Sequence, residues 1–178
     1  MNDMLEVLKQ VCQHYDVEVF ITPHVHQLDT RFYTHEELEE KIKEITHKDI
    51  HTTIQEAEVY GPKLQLDAVL VYPCDATTLN KIDLGINDNC VTMLVKSCLR
   101  NQIPIVLGVY SNDILSNSGV HLLSLFNKKN FYFVPMFQDD YQRKPQSMIA
   151  AKDKVLDTLH FALKHQQNQP FLLGYRKI

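Results

Sequence analysis

The chain has 178 residues, 44% of them hydrophobic and 22% charged, enough apolar material for one domain spanning 1–178 and too much for a disordered chain. Its 18 basic and 22 acidic residues leave a net charge of −4, which argues against nucleic acid and anionic membranes, since both demand concentrated positive charge. The apolar stretches are too short to cross a bilayer, and Met1-Asn2-Asp3-Met4 lacks the basic-then-apolar layout of a secretory signal, so a soluble cytoplasmic protein is expected.

Leu5, Leu8, Val11 and Cys12 recur at helical spacing and predict an amphipathic helix over residues 1–14. A short β-rich run, Val17 to Thr22, follows and is ended by Pro23. Residues 34–47 read as a second helix, with Thr34 as N-cap, Glu37 completing a capping box, and Leu38, Ile42 and Ile45 as the apolar stripe. Asp49 to Glu58 reads equally as strand or turn. Beyond the Gly61-Pro62-Lys63 break, Leu66 to Tyr72 is almost continuously apolar, as suits a strand covered on both faces, and Pro73 is expected to stop it. Helical patterns follow at 77–86 and 91–101. Ile103 to Val109 is the next buried strand, with Pro104 at its start. A helix carrying Val120, Leu122, Leu123 and Phe126 leads to the strand Phe131 to Pro135. Gln138 to Pro145 is a loop too polar to bury. The last long helix is expected over 147–166, with Val155, Leu159 and Leu163 on one stripe and Pro170 beyond it before a short apolar tail.

Strands alternating with helices imply crossover units and a mostly parallel sheet, that is, an α/β domain of the doubly wound, three-layer kind. Ligands of such sheets bind beyond the carboxyl ends of the strands, so the informative segments follow Ile21, Tyr72, Val109 and Val134. There is no GxGxxG and no GxxxxGK[ST], and the chain has only five glycines, which excludes a dinucleotide fingerprint and a P-loop. His24 and His26 with Asp29 and His35 suggest ligands, but no HExxH or CxxC supports them and no metal is expected. Without CxxC spacing, Cys12, Cys74, Cys90 and Cys98 are expected as reduced, packed thiols. The segment Pro73-Cys74-Asp75-Ala76-Thr77-Thr78-Leu79-Asn80-Lys81 puts hydroxyls and free backbone N–H groups at a strand's carboxyl end. That pattern suits a phosphate or the polar edge of a ring, and it equally suits an ordinary helix cap.

The ordered set Thr30-Arg31-Phe32, Gly61-Pro62-Lys63-Leu64 with Leu66-Asp67, Lys81, Asp88, Ser111-Asn112-Asp113, Gln138-Asp139-Asp140, Lys144-Pro145 and His165-Gln166-Gln167 resembles the flavoprotein component, the B subunit, of dipicolinate synthases. That family is similar to the flavin-dependent cysteine decarboxylases. The resemblance implies a flavodoxin-like, Rossmann-like sandwich, FMN as cofactor, a homo-oligomer and, as partner, a dehydrogenase-like companion subunit. Its implied role is oxidoreductase formation of dipicolinate, a spore chelator, from a small dihydro or hydroxy-tetrahydro precursor. By position it assigns Thr22 near the phosphate, Pro73, Asp75, Thr77, Thr78 and Lys81 to a flavin-holding segment of the form P-x-[ST]-[AG]-N-[ST], and Tyr110 and Ser111 to a third flavin-facing loop.

This chain departs from the pattern in three ways. The family opens with a strand and a Gly-Ser/Thr turn that grip the phosphate, and the chain begins after them. Asp75 stands where Ser or Thr is expected and Thr77 where Asn is expected. A carboxylate beside a phosphate is repulsive, so Asp75 is expected to be protonated or paired, with Lys81 as the nearest candidate. Cys74 has no family role. The alternative reading is therefore a non-catalytic or regulatory paralogue that has lost FMN. A peptidyl-cysteine decarboxylase with His24 or His26 as base is a more distant one.

Overall fold

The protein is described by a computed structural model that covers residues 2–27, 29–30, 33–61 and 66–174. Arg31, Phe32 and the Pro62 to Gln65 part of the two upstream motifs lie outside the described residues, as do residues 175–178 of the tail.

Helix α1 (Asn2–Cys12) leads to strand β1 (Val19–Phe20), the short helix α2 (Pro23–Gln27), helix α3 (His35–Thr46), strand β2 (Ile50–His51) and helix α4 (Ile54–Tyr60). The expected capping box at α3 is present: Thr34 accepts from the Glu37 amide while the Glu37 carboxylate reaches back to the Thr34 N–H. The ambiguous stretch 49–58 resolves into β2 followed by α4, whose start carries a second box, Thr53 with Glu56. Bonds from the Thr53 hydroxyl and from the Thr53 and Thr52 amides hold the Glu56 carboxyl down at about 2.

Strand β3 (Val69–Cys74), helix α5 (Ala76–Leu84), helix α6 (Cys90–Leu99), strand β4 (Ile105–Ser111), helix α7 (Gly119–Phe126) and strand β5 (Phe131–Phe133) form the centre. β4 pairs in parallel with β3 on one side and with β5 on the other. Successive side chains of these strands point to opposite faces. Val69, Val71, Ile105, Leu107, Val109, Phe131 and Phe133 therefore meet the α4, α5, α6 and α7 layer. Leu70, Tyr72, Val106, Tyr110 and Tyr132 meet α1 and the last helix. Burial on both faces explains the almost unbroken apolar runs and makes the protein a three-layer α/β sandwich with a mostly parallel sheet. β1 and β2 pair parallel with each other only, Val19 with Ile50 and Phe20 with His51.

Pro73 does not stop β3. The strand continues to Cys74, and the register against β4 shifts between Val71 and Cys74. The single helix expected over 147–166 is also corrected. Strand β7 (Met148–Ala150) occupies its start, pairs antiparallel with β6 (Met136–Gln138) and with Tyr110-Ser111 of β4, and a 3-10 turn (Lys152–Lys154) precedes α8 (Val155–Ala162). Ser147, Met148, Ala150 and Ala151 are buried by this hairpin, and their alternation is that of a strand, not of a helix face. Leu163 and the residues after it leave the helix through His165 in the left-handed region. The tail then returns: the Gln167 amide accepts from the Phe133 N–H at 2.8 Å and donates to the Phe133 carbonyl at 2.7 Å, covering the edge of β5.

Cys74, Cys90 and Cys98 are buried free thiols, as expected, and Cys12 is half-buried. Burial pushes the Cys74 thiol far above its ordinary range and Cys90 up to about 12, so these two are packed, not reactive. Of the apolar residues that marked α7 in the sequence, Val120, Leu122, Leu123 and Phe126, only Leu122 is buried and the other three are exposed. Leu122 and Leu125 are the residues that enter the core.

Candidate functional site

The carboxyl ends of β3 and β4 lie side by side, because Cys74 is the register partner of Val109. That pairing brings Asp75, Ala76, Thr77 and Thr78 at the head of α5 next to Tyr110 and Ser111. Six of the eight residues named from sequence, Pro73, Asp75, Thr77, Thr78, Tyr110 and Ser111, thus fall on one rim. Lys81 lies one turn further along α5.

Asp75 is the N-cap of α5. Its backbone is extended, and its Oδ1 accepts from the Thr78 N–H at 2.8 Å. A carboxylate suits this position because the first amides of a helix lack intrahelical acceptors and the helix dipole is positive there. The expected Asp75–Lys81 pair does not form. Lys81 Nζ instead lies 2.7 Å from Asp88 Oδ2, and that contact lowers the Asp88 carboxyl. Thr77 is exposed and Thr78 half-buried, both on the first turn.

At the same strand ends, but on the face covered by α1 and α8, the Tyr72 and Tyr110 hydroxyls are 2.6 Å apart, with their rings edge to face at 5.4 Å. Burial raises both phenols, Tyr72 the more strongly, so both stay protonated at neutral pH. Gly108 makes the arrangement possible: a Cβ there would sit 2.3 Å from Tyr72 Cδ2. Two hydroxyls sharing one hydrogen bond leave one O–H proton uncommitted, and that proton is the donor this pair can offer a ligand.

Ser111 is turned inward. Its hydroxyl donates to Asp113 Oδ1 and accepts from the Asp113 N–H at 3.2 Å. Asp113 Oδ2 takes the Ser118 hydroxyl at 2.8 Å, and Ser118 Oγ accepts from Asn80 Nδ2 at 3.1 Å. The Ser111 bond, followed by that of Ser118, lowers the Asp113 carboxyl. Asn80, Asp113, Ser118 and Tyr72 were not singled out in sequence. Asp113 lay in the Ser111-Asn112-Asp113 string and Asn80 in the Pro73 to Lys81 segment, Tyr72 ended the strand before that segment, and Ser118 had no advance signal. Asn80 Oδ1 is buried and has no partner among the described groups.

Thr22 follows strand β1. It heads α2, where its Oγ1 accepts from the Val25 N–H at 3.4 Å, and it stands beyond the separate β1–β2 pair. His26 ties α2 to α3 through Glu39 at 2.5 Å, and His24 is exposed. Among the described residues no group of three His, Cys, Asp or Glu side chains could hold a metal. Nor is any helix of the described residues long and apolar enough to cross a membrane.

A rim built from a doubly wound sheet, with hydroxyls and helix-head amides at two adjacent strand ends, is where such folds hold flat phosphorylated ligands. The Flavoprotein family model matches residues 1–151. The chain belongs to the flavoprotein family. It is 37% identical over 158 residues to the B subunit of dipicolinate synthase from Bacillus subtilis (strain 168), a match covering 89% of this chain and 79% of that protein. The crystal structure of the dipicolinate synthase B subunit from Bacillus halodurans superposes with a TM-score of 0.88 at 34% identity, covering 96% of this chain and 88% of that one. The FMN-dependent cysteine decarboxylase SpaF shares the fold, with a TM-score of 0.67 at 15% identity over 90% of this chain and 89% of the other. The flavodoxin-like architecture expected from sequence is therefore that of its structural relatives.

The rim fits the two parts of an FMN molecule unequally. The Thr77 and Thr78 hydroxyls and the exposed head of α5 suit the uncharged polar edge of a ring, while the Tyr72–Tyr110 pair stands on the opposite face of the sheet, towards α1 and α8. The Asp75 carboxylate at that same head does not suit the phosphate.

Proposed function

We propose that this chain is the flavoprotein component of a dipicolinate synthase-type oxidoreductase. In this reading it holds FMN and takes part in forming dipicolinate from a small dihydrodipicolinate-pathway precursor during sporulation. The observation that carries the proposal is the whole-chain likeness, in sequence and in fold, to two dipicolinate synthase B subunits. When bound, the flavin would supply the two-electron redox chemistry.

The protein's own contribution follows from the rim. Thr77 and Thr78 present hydroxyls, and on the opposite face of the sheet the Tyr72–Tyr110 pair presents one O–H donor held at a fixed place by Gly108. Ser111 is held in its loop by Asp113 and serves to shape the rim, not to donate to a ligand. Raised phenols keep the donor protonated, so the pair orients an acceptor atom and does not act as a base at neutral pH. The same proposal includes cytoplasmic location, a homo-oligomer and, as second partner, a dehydrogenase-like companion subunit.

The test is direct. The purified chain is mixed with FMN, desalted and scanned for the flavin absorption bands, and its mixture with a dehydrogenase-like companion is assayed for dipicolinate. Retained colour and product formation are expected. A colourless protein that also fails to quench flavin fluorescence would remove the proposal. A second reading, a non-catalytic or regulatory paralogue, is favoured by one observation, the anionic side chain at the head of α5. In that reading FMN binding has been lost, so a folded chain that binds no FMN would select it and measurable FMN binding would remove it.

A further inference from the structure

We infer that Asp75 is a built-in anion that closes the amino end of α5 to phosphate and carboxylate groups, so that the rim selects the uncharged, hydrogen-donating edge of its ligand. The inference deepens the flavin reading, on which its ligand assignment rests, and its charge argument stands on this chain's own geometry.

Four observations combine. The Asp75 carboxylate takes the Thr78 N–H at 2.8 Å, which is the bond an incoming anion would make to a third-position amide. Lys81, the nearest cation on the same helix, is drawn away to Asp88 at 2.7 Å. Among the described residues no Lys, Arg or His is ion-paired with Asp75, which is exposed. Finally, the second strand end adds another carboxylate, Asp113, already satisfied by the Ser111 and Ser118 hydroxyls. A ligand phosphate or a substrate carboxylate approaching here meets like charge and finds one helix amide taken. A ring N–H meets an acceptor. The anionic groups of cofactor and substrate must then be held away from α5, and Asp75 sets which edge of the ring faces the helix.

The test separates charge from capping. Asn at 75 keeps an N-cap oxygen and removes the charge, and Gly at 75 removes both at a small cost in helix stability. Inorganic phosphate is titrated into isotope-labelled full chain, and the amide signals of Ala76, Thr77 and Thr78 are followed in wild type, Asp75→Asn and Asp75→Gly. The wild-type amides are expected to stay still, while at least one variant gains phosphate-dependent shifts with affinity higher by on the order of tenfold. Wild-type amides that move as readily as those of the variants would overturn the inference. So would two folded variants whose amides ignore phosphate, because Asp75 would then not be what closes the helix. Riboflavin, which carries no phosphate, is titrated in parallel. If it binds none of the three proteins, the flavin reading fails while the phosphate result still decides the role of Asp75.

Discussion

The two ends of helix α5 each carry an aspartate, and the structure treats them in opposite ways. At the carboxyl end, Asp83 is 9% exposed and accepts from His121 Nδ1 at 2.8 Å, Ser124 Oγ at 2.6 Å and Lys128 Nζ at 2.7 Å. These bonds tie α5 to α7. At the amino end, Asp75 is exposed and is bound by its own helix. A carboxylate buried at a junction of elements is structural, and its neighbours are placed to neutralise it. A carboxylate left in solvent at a strand-end rim keeps its charge for whatever arrives. The same residue type thus serves as a fastener at one end of the helix and as a selector at the other.

The largest expected effect breaks the fastener. Asp83→Ala strands His121, Ser124 and Lys128 without their common acceptor, and a loss of about 3 kcal/mol in a denaturant melt is expected. Asp75→Asn should change the same melt by about 0.5 kcal/mol or less, because Asn caps as well as Asp. Equal losses at the two ends would dissolve the contrast.

Acid sharpens it. Burial tends to raise the Asp83 carboxyl, but the Lys128, Ser124 and His121 bonds outweigh it and hold the group at about 2. A folded pKa below the unfolded one contributes stability that is complete above the ordinary carboxylate range and is lost as pH falls through about 2. Over an unfolding series between neutral pH and pH ~2, Asp83→Ala should therefore lose about 2 kcal/mol less than wild type, the losses from Glu56, Asp88 and Asp113 remaining, while Asp75→Asn leaves the wild-type loss unchanged.

At the rim itself, Gly108→Ala forces a methyl into the Tyr72 ring and should cost about 2 kcal/mol. Adding Tyr72→Ala should recover part of that loss in a double-mutant cycle. Tyr72→Phe removes only the 2.6 Å bond to Tyr110, for about 1 kcal/mol, and should lower flavin affinity more than stability if the pair serves a ligand. The smallest effect belongs to Lys81→Ala. Its pair with Asp88 is partly exposed, and a change of about 0.5 kcal/mol or less, vanishing in high salt, is expected from melts at two ionic strengths.

Much of the sandwich was legible in the sequence because its signals are local. Ile105, Leu107 and Val109 alternate against Val106 and Tyr110, and Thr34 with Glu37 spells a capping box within four residues. The failures are places where partners are distant. Residues 147–151 satisfy a helical pattern, yet they form β7, because the end of β4 and strand β6 offer backbone partners that no local window contains. Lys81 is separated from Asp75 by less than two turns, but Asp88, beyond the Gly85 turn, is better placed. Val120, Leu122, Leu123 and Phe126 mark a helix equally well in the sequence, but only the fold shows that Leu122 faces the core and the other three do not.

The same division applies to the candidate site. Sequence alone determined that strands alternate with helices, that two of them end in polar, hydroxyl-bearing segments, and that a carboxylate stands at position 75. Those properties depend on side-chain period and residue chemistry, which are carried along the chain. Only the tertiary structure decided that Asp75 caps its helix, that Lys81 is spent on Asp88, and that Tyr72 joins Tyr110 over Gly108. Each of these turns on which groups from separate segments come within hydrogen-bond reach, and that is settled by the register of packed strands and helices, which no single segment encodes.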